Sequence, residues 1–253
     1  MSSSANSTLL CSTEDVETET KQLALVGYGK MGRLIEQLAP EYGFQVAARL
    51  TGKSNPAASG ITREAFANID VAIEFSTPET VVENLKRLAQ TNIQTVTGTT
   101  GWSKHLNEVS DAVKQAGTGL VWSPNFSVGV AIFRKLAGLA AELLRDEPEY
   151  GAWAWEIHHD AKKDAPSGTL LHLVETMRQH GYTRNINVSA NRAGMHPGTH
   201  EIGFDSAADT ITLRHAARNR EGFARGALKA ARWVLDRKGV YTFEDVLFGT
   251  ARG

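Results

Sequence analysis

Along the first half of the chain, short apolar runs alternate with apolar residues at helical spacing. Residues 23–26, 44–50, 71–75, 94–97 and 120–122 read as strands, with helices between them. This alternation predicts an α/β fold built on a parallel βαβ series. One helix start is marked by Thr77-Pro78-Glu79, where Thr is a capping residue and Pro suits the first turn. After Phe126 the rhythm changes. A long helical segment at 130–144 leads into extended runs at 152–158, 186–190, 200–204 and 210–214, the pattern of a second, α+β domain with a mixed sheet. We therefore expect a first domain at 21–127 and a second at 128–227. A last helix near 222–237 and a capping-box spacing over Thr242-Phe243-Glu244-Asp245 predict that residues 228–253 return to the first domain. No internal repeat is present.

The first strand runs directly into Gly27-Tyr28-Gly29-Lys30-Met31-Gly32, followed by a helical run with Leu34, Ile35 and Leu38. Gly-x-Gly-x-x-Gly between a strand and a helix is the fingerprint of a Rossmann-like dinucleotide site. Its first glycine makes the tight turn, its second lets the backbone approach a pyrophosphate, and its third packs helix against strand. These six residues are the first candidate cofactor contacts. An acid that would accept from the ribose 2′-hydroxyl is expected about 20 residues on, yet no Asp or Glu lies between Tyr42 and Arg63. Arg49 and Lys53 flank the end of the second strand instead, so a 2′-phosphate would be tolerated, although strand alternation equally allows Arg49 to face solvent. Later loops at Gly98-Thr99-Thr100-Gly101 and Ser123-Pro124-Asn125-Phe126-Ser127 fall at the carboxyl ends of strands, where open α/β sheets bind ligands. Both suit a nicotinamide pocket, though such compositions are also those of ordinary turns.

The densest chemistry lies in residues 156–169, Glu-Ile-His-His-Asp-Ala-Lys-Lys-Asp-Ala-Pro-Ser-Gly-Thr. His158 and His159 exchange protons near neutral pH, and Lys162 adds a donor and a fixed charge. Pro166-Ser167-Gly168-Thr169 opens an apolar helical run, so free N–H groups and the positive end of the helix dipole lie beside those side chains. An anionic substrate is implied. The plain alternative is an exposed turn followed by a helix cap. No metal site is expected: Cys11 is the only cysteine, and Pro197-Gly198 between His196 and His200 rules out a helix that would align them.

Composition narrows the partners. With 253 residues and 42% hydrophobic content the chain buries a sizeable core, and 27 basic against 28 acidic residues give no basic excess for nucleic acid or an anionic membrane. A lone cysteine excludes an intrachain disulfide framework, and no apolar run approaches the roughly 20 residues that span a bilayer. Residues 1–20, Ser/Thr-rich and then acidic, read as a disordered tail without the features of a signal peptide, which makes the expected location cytoplasmic.

These motifs together are similar to those of the dihydrodipicolinate reductase family of lysine and diaminopimelate synthesis. The resemblance covers about residues 22–248. It runs through the glycine fingerprint, Gly98-Thr99-Thr100-Gly101, Pro124-Asn125-Phe126-Ser127-Val128-Gly129-Val130 and the His158-His159…Lys162…Asp164-Ala165-Pro166-Ser167-Gly168-Thr169 signature, then Gly198-Thr199-His200-Glu201 and Phe223-Ala224-Arg225-Gly226-Ala227-Leu228. It implies hydride transfer from NADPH or NADH to a cyclic dicarboxylate, with His158 as acid/base and Lys162 as proton donor. His159, Lys162, Ser167, Gly168 and Thr169 are implied to bind the substrate, and the second domain's sheet to assemble a homotetramer. Two departures stand out: the first glycine loop is shortened, and Thr51 occupies the place of the acid that ends the second strand. Rival readings are another two-domain NAD(P)-dependent dehydrogenase acting on an amino-acid-related substrate, which leaves 158–169 unexplained, and a non-catalytic NAD(P)-binding regulator, for which no DNA-binding module or basic face is present.

Overall fold

The structure, a computed structural model, describes residues 19–249; the expected tail up to residue 18 and residues 250–253 lie outside it. Five of the strands read from the sequence, β1 (Lys21–Val26), β2 (Phe44–Leu50), β3 (Val71–Glu74), β4 (Gln94–Thr97) and β5 (Gly119–Trp122), join a late strand, β10 (Gly239–Thr242), in one parallel sheet of order β10-β5-β4-β3-β1-β2. β1, β3 and most of β4 and β5 are buried on both faces, which is why they read as continuous apolar runs rather than alternating ones. β10 is a four-residue edge strand of intermediate burial and carries no such signal. Strand order reverses between β1 and β3, so the switch-point crevice opens over the loops that follow these two strands.

Helices α1 (Lys30–Leu38) and α6 (Glu221–Val234) cover one face of this sheet, sharing a core with Leu23, Leu25, Ile73, Phe126 and Phe243. Helices α2 (Val81–Gln90) and α3 (Leu106–Ala116) cover the other, around Leu85, Trp102 and Leu120. The helix expected at Thr77 starts later, at Val81. Thr77 to Thr80 form a hydrogen-bonded turn in which Val81 N–H donates to Thr77 O at 3.1 Å. The return to the first sheet begins at Glu221 rather than at 228. Ala224 and Ala227 of α6 are fully buried in the first core, and Gly226 lies so close to Phe126 O that a Cβ there would stand 1.7 Å away. The closing helix α7 (Phe243–Phe248) has the capping box read from the sequence: Thr242 Oγ1 accepts from Asp245 N–H, and Asp245 Oδ2 accepts from Thr242 N–H.

After β5 the long helix α4 (Val128–Leu144), capped by Ser127, leads to a mixed sheet of order β7-β6-β8-β9. β6 (Gly151–His158) runs parallel to β7 (Ile186–Arg192) and antiparallel to β8 (Thr199–Asp205), which pairs antiparallel with β9 (Thr210–Ala216). α4 and α5 (Gly168–Gln179) pack on one face through Phe133, Leu170, Leu173 and Tyr182. The opposite face carries Trp153 and Trp155 of β6, with Ser189, Glu201 and Arg214 beside them. Among the described residues no helix is long and apolar enough to cross a membrane.

Candidate active site

At the switch point, Gly27 has φ +96, and a Cβ there would lie 2.1 Å from Phe75 O, so the turn after β1 admits only glycine. Gly29, at the start of α1, has no atom within 4 Å of where its Cβ would stand. No side chain caps this helix start. The open position and uncapped N–H groups fit a pyrophosphate. Lys30 is exposed, whereas Met31 and Tyr28 lean on the core.

The ribose end differs from expectation. Arg49 is exposed, as strand alternation allowed, yet it is not a free anion site: its Nε donates to Glu36 Oε1 at 2.7 Å, and Tyr28 Oη donates to the other carboxylate oxygen. Glu36 therefore brings from α1 the acid that is missing after β2, and it neutralises Arg49. Glu36 lies nine residues after Gly27, outside the spacing at which the fingerprint expects its acid, although its place on α1 four residues after Gly32 is open to helical spacing. Thr51 and Lys53 lie in an exposed turn closed by Asn55 N–H to Thr51 O at 2.9 Å.

The two later loops gather at the ends of β4 and β5. Buried Thr99 accepts from Ser76 N–H at 2.9 Å, and Thr99, Thr100, Ser123 and Pro124 line one cavity of about 400 Å³. Asn125 Oδ1 accepts from Ser127 N–H at 2.9 Å and holds the loop against the start of α4. Phe126 turns its ring into the core, between Phe75 and Phe243, so only its backbone is available to a cofactor.

On the other side of this loop lies a cavity of about 290 Å³ lined by Asn125, Thr169, His158, His200, His215 and Arg218, among others. His158 ends β6, and the chain leaves the strand at His159, which is half-buried in the following loop, so the two rings need not oppose each other. Ser167 is the N-cap of α5, its Oγ accepting from Leu170 N–H at 3.2 Å. Gly168, the first residue of α5, again has no atom within 4 Å of its Cβ direction. Lys162 is turned aside: its ammonium donates to both oxygens of Asp164, at 2.7 and 2.9 Å, and does not line the cavity. Lys162 first, and the Gly168 N–H to a smaller extent, hold the Asp164 carboxyl below the usual range. Asp164 thus takes two donors suited to a substrate carboxylate.

Sequence reading missed the partners of His158. Glu156, fully buried, accepts from Ser167 N–H at 2.9 Å, from Ser167 Oγ and from Arg192 Nη2 at 2.8 Å, with His200 Nε2 at 3.3 Å and His158 Nδ1 at 3.7 Å. Burial pushes this carboxyl upward, but the hydrogen bonds from Ser167 and Arg192 outweigh it and leave the group below its ordinary value. Burial also pushes His158 downward, against the pull of Glu156. His200 is pushed to about 4, by burial first and His158 next, and His215 is lowered by burial. Glu156, His158 and His200 bring three possible ligand atoms within 4.8 Å of one another, a grouping absent from the sequence expectation because β8 supplies its third member. Donors from Ser167 and Arg192 already engage both carboxylate oxygens, so the set is built around hydrogen bonds and an ion pair rather than around a cation.

One consequence concerns acid stability. His200 accepts its proton near pH 4 in the fold but near 6.5 when unfolded, so the unfolded chain binds more protons between these values. Stability is fully present above about pH 6.5 and falls as pH drops toward 4, and His158 and His215 act with the same sign. The melting temperature is expected to decline through this window. His200→Gln should flatten the slope, and an equally steep slope in that variant would show that His200 is not its source.

A dinucleotide crevice on one sheet and a buried histidine cleft on the other, meeting at the 123–127 loop, define an NAD(P)H-dependent oxidoreductase. Residues 21–126 match the model described as "Dihydrodipicolinate reductase, N-terminus" and residues 129–247 that described as "Dihydrodipicolinate reductase, C-terminus". The chain belongs to the dihydrodipicolinate reductase family. It is 32% identical over 238 residues to the 4-hydroxy-tetrahydrodipicolinate reductase of Christiangramia forsetii, covering 89% of this chain and 97% of that one. The enzyme of the same name from Methanoregula boonei is 37% identical over 193 residues, 70% of this chain and 74% of that one. In fold, the chain is similar to the dipicolinate-bound dihydrodipicolinate reductase from Paenisporosarcina sp. TG-14, with a TM-score of 0.76, 22% identity, and coverage of 88% and 98%. The fold extends further, to an amine dehydrogenase from Mycobacterium smegmatis with a TM-score of 0.54 at 9% identity over 88% and 95%.

Proposed function

We propose that this chain reduces 4-hydroxy-tetrahydrodipicolinate, the substrate named for its relatives, at the cleft between Asn125 and His158. The observation that carries the reading is the meeting of an acid/base histidine with an open helix start at Gly168 and Thr169 beside the dinucleotide loops. A bound NADPH or NADH supplies the hydride. Asn125 and the Thr99-Thr100 loop position the nicotinamide side, and the N–H groups of Gly168 and Thr169, with Ser167 as their cap and His159 nearby, receive a ring carboxylate. Hydride addition at a ring carbon leaves negative charge on the ring framework, and a proton from His158 or Lys162 neutralises it. Lys162 must leave Asp164 to take part, a shift that a substrate carboxylate arriving at Gly168 would favour by replacing Asp164 there. The site lies in the cytoplasm, and a homotetramer forms across the open face of the mixed sheet, where Trp153 and Trp155 lie. Light scattering on the purified chain tests that assembly; a monomer would refute it.

Coenzyme choice follows from the ribose corner. Arg49 is already engaged by Glu36, so among the described residues Lys53 is the cation of this turn left for a phosphate, and solvent and salt weaken such a contact. NADPH is expected to serve at least as well as NADH, with a preference of about a few-fold to tens-fold that shrinks as ionic strength rises. Thr51→Asp should turn the ratio toward NADH, because a carboxylate accepts from the ribose hydroxyls and repels a 2′-phosphate. The assay is kcat/KM for both coenzymes with the cyclic dicarboxylate as acceptor. No reductase turnover by the wild type would sink the functional reading, whereas a strong wild-type preference for NADH or an unmoved ratio in Thr51→Asp would sink only the account of the ribose.

A further inference from the structure

We propose that Glu156 is a positioning residue for the reductase. It fixes His158 with Nδ1 protonated toward the carboxylate and Nε2 toward the cavity, and through Ser167 it ties that ring to the helix start that receives the substrate. The inference rests on the reductase reading of the cleft.

The register of the mixed sheet builds this unit. Glu156 and His158 are two residues apart on β6 and project from the same face. β8 sets His200 directly opposite Glu156, and β7 sets Arg192 directly opposite His158. The contacts then close across the array: Arg192 Nη2 donates to Glu156 Oε1 at 2.8 Å, and the rings of His158 and His200 meet edge to face at 5.0 Å. Two buried nitrogens, His158 Nδ1 and His200 Nδ1, have no hydrogen-bond partner, and the first of them is the atom that faces Glu156 Oε2 at 3.7 Å. An imidazole that turned a lone pair toward a carboxylate at this range would be repelled, so the proton belongs on Nδ1. Nε2 is then left on the side of Gly198, where a Cβ would come within 2.9 Å of it, and both residues line the cavity.

The same carboxylate accepts from the N–H and the hydroxyl of Ser167, whose hydroxyl in turn caps α5. Acid and anion site are thereby referred to one buried group, and a change at Glu156 reaches both. A carboxylate that only completed the fold would leave the tautomer and the titration of His158 untouched.

The groups that face His158 have opposing signs. Glu156 on β6 and Asp164 on the following loop favour its protonated form, whereas Lys162 on that loop and Arg192 on β7 oppose it. His200 on β8 is neutral above about pH 4, and His215 on β9 lies beyond it.

The experiment is imidazole 15N and 1H NMR on the histidine-labelled full chain across pH, with dipicolinate titrations beside it. In the wild type, neutral His158 should be the Nδ1–H tautomer. Glu156→Gln should lower the His158 midpoint by about one unit, because an opposite charge at this range shifts a titration by about that much or more. It should also weaken dipicolinate binding by about tenfold, the loss expected when a charge-assisted hydrogen bond to the helix cap becomes a neutral one. Glu156→Asp should restore the midpoint in part, and Ser167→Ala should weaken dipicolinate while leaving the midpoint in place. An Nε2–H tautomer in the wild type, or an unmoved midpoint in folded Glu156→Gln, overturns the proposal. The tautomer is read without any variant and decides alone if Glu156→Gln does not fold. Failure of the reductase reading would look different: no turnover by the wild type, whatever the NMR result.

Discussion

His158→Ala is expected to lower kcat by about two to four orders of magnitude, the usual cost of removing a positioned proton-transfer group. The geometry isolates this effect from the fold. His158 is the last residue of β6, and its removal leaves the Glu156 carboxylate with its Arg192 and Ser167 partners, so the chain should still unfold cooperatively. Lys162→Ala should produce a loss of similar size if Lys162, which sits in the loop between β6 and α5 and there bonds Asp164, is the proton donor that the family resemblance implies. Loss of Lys162 also leaves the Asp164 carboxylate, already bonded by the Gly168 N–H, without its neutralising partner beside an incoming anion, so KM for the dicarboxylate should rise as well. Steady-state kinetics with saturating coenzyme, set beside thermal unfolding, checks both variants. Near wild-type kcat in the two of them would remove His158 and Lys162 from the chemistry.

The extent to which this site was legible in the sequence depends on how far apart its members stand. The glycine fingerprint, the His158–Thr169 segment and the α5 cap are local: Ser167 lies one residue before a helix whose apolar period is visible, so its role follows from spacing. Glu156 was in plain view, two residues from His158, but its meaning comes from Arg192, His200 and Ser167. Two of these reach it only through the register of β7 and β8. Nothing in a single sequence fixes that register. A similar limit applies to Glu36, which joins Arg49 and Tyr28 across the β1–α1–β2 unit and cancels a charge that the linear reading left free.

The fold shows the same division. Strands buried on both faces announced themselves as apolar runs, whereas β10, a short edge strand of half-buried residues, did not. α2 begins late because Thr77 and Thr80 satisfy each other and the backbone in a turn, the competition that makes hydroxyl residues ambiguous as helix starts. The early return of the chain to the first sheet, at Glu221, was hidden because the cause is the closeness of Gly226 to Phe126, a contact between residues 100 positions apart.

Arg192→Ala should destabilise the protein by about 3–5 kcal/mol at neutral pH, the cost of leaving one partner of a buried ion pair uncompensated. Glu156 has no exposed surface, and among the described residues Arg192 is the only guanidinium or ammonium bonded to it. The same guanidinium donates to the carbonyl oxygens of Lys162 and Asp164 and so also pins the loop between β6 and α5. Two controls separate charge from packing. In the Arg192→Ala, Glu156→Gln double variant the buried charge is gone while the amide retains an acceptor for Ser167, so part of the loss should be recovered. The sign of the pH dependence gives the second control. In the wild type the Glu156 carboxyl lies below its ordinary value, so its contribution is present above about pH 4.5 and is lost as pH falls through the folded value. Without Arg192 the burial of a bare carboxylate raises that value, the group takes its proton early, and the gap between variant and wild type should narrow as pH is lowered. Denaturant unfolding at several pH values measures it. A cost below about 1 kcal/mol at neutral pH, the worth of an exposed pair, or a gap that does not change with pH, would mean that the Glu156–Arg192 pair does not hold this corner of the fold by charge.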